Sequence, residues 1–309
     1  MLNILFSSTP ERWEQYREVL PAKLAAAGVE ADVSLTHAAE EVDYIVLAPG
    51  GPVADFSAFT KARAVMCLWA GVENVVANET LTHPLTRMVD AGLRDGMVEW
   101  VAGHVLRHHL GMDAHIVNPD QRWEPVAPPL ARDRPVTVLG LGELGRACGQ
   151  ALARLGFPVT GWSRSPKDIP GIACHHGADG LSAALAGAQV VVLLVPLTPG
   201  TEALMDARTL ALPAPGAVLL NPGRGALIDD DALLEALDTG QIGHATLDTF
   251  RTEPLPADHP FWSDPKVTVT PHIASETRPD TASEVIAENI RRAEAGEPLL
   301  YRVDRARGY

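Results

Sequence analysis

The hexapeptide Gly140-Leu-Gly142-Glu-Leu-Gly145, with what flanks it, restricts this chain more than any other feature. Before it stands the short apolar run Val136 to Leu139. After it, Arg146 to Leu155 repeats apolar residues at helical spacing and stops at Gly156. In a strand–turn–helix of this kind the first glycine permits the tight turn and the second lets a pyrophosphate approach the backbone. The third allows the helix to pack closely on the strand. The helix N-terminus adds free N–H groups and a partial positive charge. A glycine-rich hexapeptide by itself is an ordinary turn; in this context it predicts a dinucleotide site on Gly140, Gly142, Glu143, Leu144 and Gly145.

The following strand, Val159 to Trp162, runs into Gly161-Trp-Ser163-Arg164-Ser165. Sheets that bind NAD usually place Asp or Glu here, on the adenosine ribose hydroxyls. This chain has Ser163, with Arg164 beside it and Lys167 close behind. A carboxylate repels a 2′-phosphate, whereas a guanidinium pairs with it through two hydrogen bonds. The expected cofactor is therefore NADPH in preference to NADH, with Ser163, Arg164 and Ser165 at its adenosine end. A solvated basic turn is the competing reading.

Strands and helices alternate on both sides of this motif. Asn3 to Phe6, Tyr44 to Ala48 and Val65 to Trp69 read as strands of a first block, with a helix over Glu11 to Ala27 and a turn at Pro49-Gly50-Gly51. Val98 to Leu110 has helical spacing, and the proline-rich Pro119 to Pro135 leads into the second block. There, Val190 to Val195, Val218 to Asn221, Ala245 to Asp248 and Val267 to Thr270 are further strands, and Leu181 to Leu185 a short helix. A last helix over Thr281 to Ala295 is expected to fold back onto the first block. The pattern predicts an α/β fold of two doubly wound parallel-sheet, Rossmann-like domains with an active-site cleft between them. The expected division is 1–97 with 278–309, and 98–277.

Composition narrows the function classes. With 25 Lys+Arg against 39 Asp+Glu the formal charge is −14, which argues against binding nucleic acid through bulk charge. Three cysteines at wide spacing exclude a disulfide framework and a cysteine-based zinc site. The longest apolar run, Val190 to Val195, is too short to span a bilayer. The N-terminal MLNILFSSTPERW has neither a basic n-region nor a cleavage site. A cytoplasmic protein with no membrane or nucleic-acid partner is expected.

Three polar residues follow expected strand ends, the edge where doubly wound sheets place ligands. Arg224 lies in Asn221-Pro222-Gly223-Arg-Gly225, Glu253 in Arg251-Thr-Glu-Pro-Leu-Pro256, and His272 in Thr270-Pro-His-Ile-Ala-Ser275. Singly, each is more often a surface ion pair or a packed side chain. Together they supply what hydride transfer to a 2-oxo acid requires. Arg224 offers a permanent cation with forked donors to bind the carboxylate and polarise the carbonyl. His272 is suited to protonate the alkoxide, and a carboxylate such as Glu253 beside it favours imidazolium.

With these segments, and with Leu194-Val195-Pro196-Leu-Thr-Pro199 and Leu247-Asp-Thr-Phe250, the chain resembles the D-isomer-specific 2-hydroxyacid dehydrogenase family over nearly its whole length. Gly161-Trp-Ser-Arg-Ser165 and the terminal Val303-Asp-Arg-Ala-Arg-Gly-Tyr309 make it most similar to the glyoxylate/hydroxypyruvate reductase A group. The resemblance implies a flavodoxin-like substrate domain and a catalytic trio of Arg224, Glu253 and His272. It implies that Ala70 and Gly71 present backbone N–H groups to the substrate carboxylate. It further implies that Asp248 accepts from the nicotinamide carboxamide, that Val195, Pro196, Thr201, Pro222 and Gly223 line the cofactor, and that the protein is a homodimer. The activity implied is NADPH-dependent reduction of glyoxylate and hydroxypyruvate to glycolate and D-glycerate.

Other readings stay open beside it. The same fold could serve another 2-hydroxy acid with NAD, or act as a non-catalytic NAD(P)H sensor. Formate or phosphite oxidation is disfavoured, because the formate branch carries glutamine where this chain has Glu253. Thr201 could instead be a helix N-cap. Trp69 could shape the substrate pocket or simply pack, and Arg278 could be a second cation for the carboxylate or a surface residue. His104, His108 and His109 read as helix surface or packing and not as metal ligands, and no metal is expected, since Arg224 supplies the electrophilic charge.

Overall fold

In the computed structural model, residues 1–48 and 50–308 are described; Pro49 of the expected turn and the terminal Tyr309 lie outside them. The chain forms two compact units, residues 1–93 with 276–309, and residues 94–275.

The first unit opens with β1 (Leu2–Ser7), α1 (Pro10–Tyr16), α2 (Val19–Ala26), β2 (Ala31–Ser34), β3 (Tyr44–Leu47), β4 (Ala64–Cys67), α3 (Glu73–Val76) and β5 (Leu85–Thr86). Its sheet has the parallel order β2-β1-β3-β4-β5. Ile4, Phe6, Val46 and Met66 pack on one face; Leu5, Ile45, Val65 and Cys67 fill the other. This period-two division buries every residue of β3 and β4, which is why they read as unbroken apolar runs.

The second unit takes up the chain with α4 (Ala91–His109, beginning just before the boundary), α5 (Asp113–Ile116), β6 (Val136–Leu139), α6 (Glu143–Arg154), β7 (Val159–Ser163), β8 (Ile172–His176) and α7 (Gly177–Leu185). It continues through β9 (Val190–Leu193), α8 (Ala207–Leu210), β10 (Ala217–Asn221), α9 (Asp230–Asp238), β11 (Ile242–Leu247) and β12 (Val267–Val269). The seven strands are parallel in the order β12-β11-β10-β9-β6-β7-β8. The chain therefore reverses its direction of travel between β6 and β9, the switch point where such sheets bind ligands. Helices α4 and α6 cover one face through Val101, Val105, Cys148 and Leu152, while α7 and α9 cover the other through Leu181, Leu185, Leu233 and Leu237.

The last helix, α10 (Pro279–Glu294), returns to the first unit as expected. Ala282, Ile286 and Ile290 pack with Tyr16, Leu20 and Leu24 of α1 and α2. Both units are thus Rossmann-like α/β layers around parallel sheets.

Three differences from the sequence reading have physical causes. The helix expected over Glu11 to Ala27 is two helices, because Pro21 cannot donate to the carbonyl of Arg17 and its ring crowds that oxygen. Helix α4 starts at Ala91, not Val98; the buried Asp90 carboxylate accepts the Leu93 N–H at 3.2 Å and begins it. Strands β2, β5 and β8 were not foreseen. All three are sheet edges, so they are short or only half-buried and carry no apolar run. Among the described residues, no helix is long and apolar enough to cross a membrane.

Candidate active site

The glycine loop lies after β6, at the switch point. A Cβ on Gly140 (φ 107°) would stand 2.4 Å from the Leu194 carbonyl and 2.6 Å from the Val195 nitrogen. A Cβ on Gly145 would stand 1.7 Å from the Gly140 carbonyl oxygen. Both glycines are demanded by the fold itself. Gly142 differs: a Cβ there would meet nothing within 4 Å, and Gly142 is the N-cap of α6, with no side chain to cover the helix end. Open space over uncapped N–H groups, at a 12-residue helix, fits a dinucleotide pyrophosphate. Glu143 and Leu144 are half-buried in the first turn, and Glu143 pairs with Arg146 at 3.1 Å.

At the end of β7, Ser163 is buried and its hydroxyl donates to the Ser165 carbonyl at 2.8 Å, turning the chain so that Arg164 and Ser165 are exposed. After β9, Val195 is buried and Pro196 half-buried. Thr201 is not a helix N-cap, because no helix starts there. Its hydroxyl donates to the Pro196 carbonyl at 2.7 Å and accepts the Thr198 N–H at 2.8 Å, closing the 196–201 turn on itself. The next helix, α8, is capped by Asp206.

The three proposed catalytic side chains follow β10, β11 and β12, which are neighbours in the sheet. Asn221, fully buried at the end of β10, accepts the Gly223 N–H at 3.1 Å and donates to the Arg224 carbonyl at 2.9 Å. These bonds shape the Pro222-Gly223 turn, with Pro222 buried and Arg224 half-buried. Gly225 presses this turn against the next loop, since a Cβ there would lie 2.0 Å from the Phe250 carbonyl carbon and 2.3 Å from the Arg251 nitrogen. Two residues beyond Arg251 comes Glu253. One of its oxygens accepts the Phe250 N–H at 2.9 Å and the other meets His272 Nδ1 at 2.8 Å. The carboxylate can only accept, so Nδ1 carries the proton and Nε2 is the ring nitrogen left for chemistry.

Asp248 fixes the histidine loop from below. Its carboxylate, wholly buried, accepts the Thr270 hydroxyl at 2.6 Å and the N–H groups of Ile273 and Ala274 at 2.9 Å. Its carbonyl accepts the His272 N–H at 2.9 Å. His272 itself sits at φ 53°, in the left-handed region that non-glycine residues seldom adopt. Asn221, Gly225 and Thr270 were not singled out from sequence as site residues. Asn221 and Thr270 do stand at or just past strand ends, directly beside the catalytic candidates, and that was the available signal.

The remaining candidates stand on other segments of the chain. In the first unit, Ala70 and Gly71 are half-buried in the loop after β4. Trp69 packs on apolar residues of both sheet faces, and its ring receives the Arg12 guanidinium 5.0 Å away. Arg278 is the N-cap residue of α10, exposed and 3.7 Å from Glu276. In the second unit the α4 histidines are packed. His108 meets the Thr246 hydroxyl at 3.0 Å and packs at a tilt against His244, ring centroids 4.7 Å apart; His104 packs at a tilt on Trp100, and the buried His109 meets Phe157 edge-on. Burial, with His244 and Arg107 nearby, pushes the His108 imidazole down to about 3. Among the described residues, no group of three or more His, Cys, Asp or Glu is placed to hold a metal ion.

Residues 102–274 match the family described as D-isomer specific 2-hydroxyacid dehydrogenase, NAD binding domain. The chain is 41% identical to glyoxylate/hydroxypyruvate reductase A of Serratia proteamaculans over 257 residues, covering 81% of this chain and 82% of that protein. A D-isomer specific 2-hydroxyacid dehydrogenase from Xanthobacter autotrophicus Py2, solved in complex with NADPH and MES, superposes with a TM-score of 0.93 at 40% identity, covering 99% of each chain. An NADPH-dependent glyoxylate/hydroxypyruvate reductase from Sinorhizobium meliloti, solved with NADP and sulfate, gives 0.86 at 33% identity, covering 100% of this chain and 99% of that one. With the glycine cradle at the switch point and the loops that follow β10, β11 and β12, these likenesses place the chain in the D-isomer specific 2-hydroxyacid dehydrogenase family, as an NAD(P)-dependent enzyme that reduces 2-oxo acids to 2-hydroxy acids.

Proposed function

We propose that the protein is an NADPH-dependent reductase of small 2-oxo acids, glyoxylate and hydroxypyruvate first, with Arg224, Glu253 and His272 as its catalytic residues. The observation that carries this reading is the 2.8 Å contact between Glu253 and His272 Nδ1, on a loop that Gly225 binds to the Arg224 turn. When bound, the reduced dinucleotide supplies the hydride. Gly140, Gly142, Gly145 and the first turn of α6 hold its pyrophosphate, while Arg164, exposed on the turn that the Ser163 hydroxyl shapes, receives the 2′-phosphate.

The chain's own residues do the rest. Arg224 binds the substrate carboxylate through its forked donors and draws electron density toward the carbonyl oxygen. Ala70 and Gly71 offer backbone N–H groups to the same carboxylate. His272 holds a proton on Nε2 and delivers it to the oxygen as negative charge develops there. Glu253 orients the ring through Nδ1.

Initial rates at 340 nm, NADPH against NADH, with glyoxylate and hydroxypyruvate as acceptors, test this directly. Rapid NADPH oxidation with weak NADH use is expected, and Arg164→Ala should narrow that difference by about tenfold or more. Equal use of both cofactors by the wild type removes the 2′-phosphate assignment. Absence of turnover despite tight NADPH binding removes the substrate assignment.

A further inference from the structure

The motif Val303-Asp-Arg-Ala-Arg-Gly308 has no part in the chemistry above, yet it is tied into the edge of the first unit's sheet, with Val303 buried. Residues 301–303 run antiparallel to the edge strand β5: the Arg87 N–H donates to the Tyr301 carbonyl at 3.1 Å and the Val303 N–H to the Leu85 carbonyl at 2.8 Å. Val303 is buried among Val72, Leu81 and Leu85, with Trp69, Val75 and Val76 packed against the same cluster. The Asp304 carboxylate accepts the Ala306 N–H at 3.1 Å and pairs with Arg307 at 2.9 Å. Its carbonyl accepts the N–H groups of Arg307 and Gly308. This tight turn aims Arg305 back at the unit.

The Arg305 guanidinium gathers three backbone carbonyls. Nη2 donates to Val76 at 3.0 Å and to Asn78 at 2.8 Å, and Nη1 donates to Leu81. Val76 is the last residue of α3, so its carbonyl has no partner within the helix, and a fixed cation there satisfies it. A guanidinium presents its donors in a rigid planar fork that reaches three spread acceptors from two nitrogens, whereas an ammonium holds its three donors on a single point. The same loop is tied on its far side, where Asn78 donates to the Ala54 carbonyl at 2.7 Å and Thr80 accepts the Phe56 N–H at 3.0 Å. Upstream of these carbonyls, Val72 accepts the N–H groups of Val75 and Val76 at 2.9 Å and so opens α3, and Ala70-Gly71 stand directly before it.

We infer that the C-terminal motif is a positioning element for substrate binding, in which Arg305, through the carbonyls of Val76, Asn78 and Leu81, holds the Ala70–Gly71 turn in the geometry that receives a carboxylate. This rests on the reading of Ala70 and Gly71 given above. Arg305 acts through the loop and touches no reacting atom. Its loss weakens the carboxylate contacts alike in ground and transition states, which raises KM and spares kcat.

The test compares wild type, Arg305→Ala and Arg305→Lys as full-length proteins. It uses glyoxylate kinetics, NADPH binding, and hydrogen exchange of peptides covering residues 70–82. For Arg305→Ala the KM for glyoxylate should rise about tenfold or more while kcat falls less than about threefold, with NADPH affinity unchanged. Exchange should quicken in residues 70–82 and stay slow in the second unit. Arg305→Lys, which keeps the charge but not the fork, should fall between, and it carries the test if the alanine variant does not fold. An unchanged KM overturns the inference even where exchange quickens. A joint loss of kcat, NADPH affinity and global protection overturns it too, as mere destabilisation. If the wild type reduces no oxo acid, the functional reading itself has failed, and that is seen before any variant is compared.

Discussion

The backbone carbonyl of Asp248 receives the N–H of His272 at 2.9 Å, while the Asp248 carboxylate receives those of the two residues that follow. One buried side chain at the end of β11 thereby dictates the path of the loop beyond β12, and with it where the imidazole points. Three donors occupy its carboxylate, of about four acceptor positions available.

Replacing that carboxylate by an amide, Asp248→Asn, turns one oxygen into a donor that faces donors. Unfolding in denaturant should show a loss of about 1–3 kcal/mol, with kcat reduced as the His272 loop relaxes. Stability equal to wild type, within error, would mean that these bonds do not hold the loop.

Glu253 makes two bonds with two oxygens, and Glu253→Gln can keep only one of them. Its amide carbonyl can accept from Phe250 or from His272, while the NH2 confronts whichever donor remains. Turnover should fall about tenfold or more while NADPH binding is retained. Steady-state kinetics with wild-type kcat would show that the imidazole needs no orienting partner.

The glycine loop allows fold and ligand to be separated. A Gly145→Ala methyl has no room and should prevent stable folding, whereas Gly142→Ala meets nothing and should melt like wild type. If a pyrophosphate lies over Gly142, that second variant should still weaken NADPH binding about tenfold or more, as read by fluorescence titration. Unaltered NADPH affinity in Gly142→Ala would move the phosphate site elsewhere.

The packed imidazoles behind β11 predict acid lability. Burial and Arg107 push His104 and His244 below their ordinary values, and burial with His244 takes His108 to about 3; Asp113 opposes all three shifts, Asp248 that of His104 and Asp264 that of His244. Below pH about 6.5 the unfolded chain binds more protons at these sites than the folded one, so stability should fall as pH drops from about 6.5 toward 3. His108→Gln, which does not titrate, should show a shallower loss in denaturation curves between about pH 7 and 4.5. Parallel curves for the two proteins would assign the acid sensitivity to other groups.

The central strands and the glycine loop were legible in the sequence because burial on both faces writes an unbroken apolar run, and because Gly140 and Gly145 have backbone atoms where a Cβ would go. The positions of Arg224, Glu253 and His272 after strand ends were legible for the same reason. Three of the four edge strands, β2, β5 and β8, were not, since β2 and β8 are largely half-buried or exposed and β5 is two residues long. Nor was the start of α4, where Gly92 and Gly96 lie against Arg278 and Ser275 and so interrupt the apolar spacing that marks a helix. The supporting bonds of Asn221, Asp248 and Thr270 join residues far apart in the chain or use backbone atoms, which no residue spacing records.

The contact of Gly225 with the Phe250–Arg251 peptide has a mechanical meaning. Backbone rests on backbone there, with no side chain between to deform or change rotamer. The Arg224 turn and the start of the Glu253 loop are consequently in direct backbone contact. In the reaction proposed above, a carboxylate drawn to the Arg224 guanidinium would pull on the same block of backbone that carries Glu253, the partner of His272.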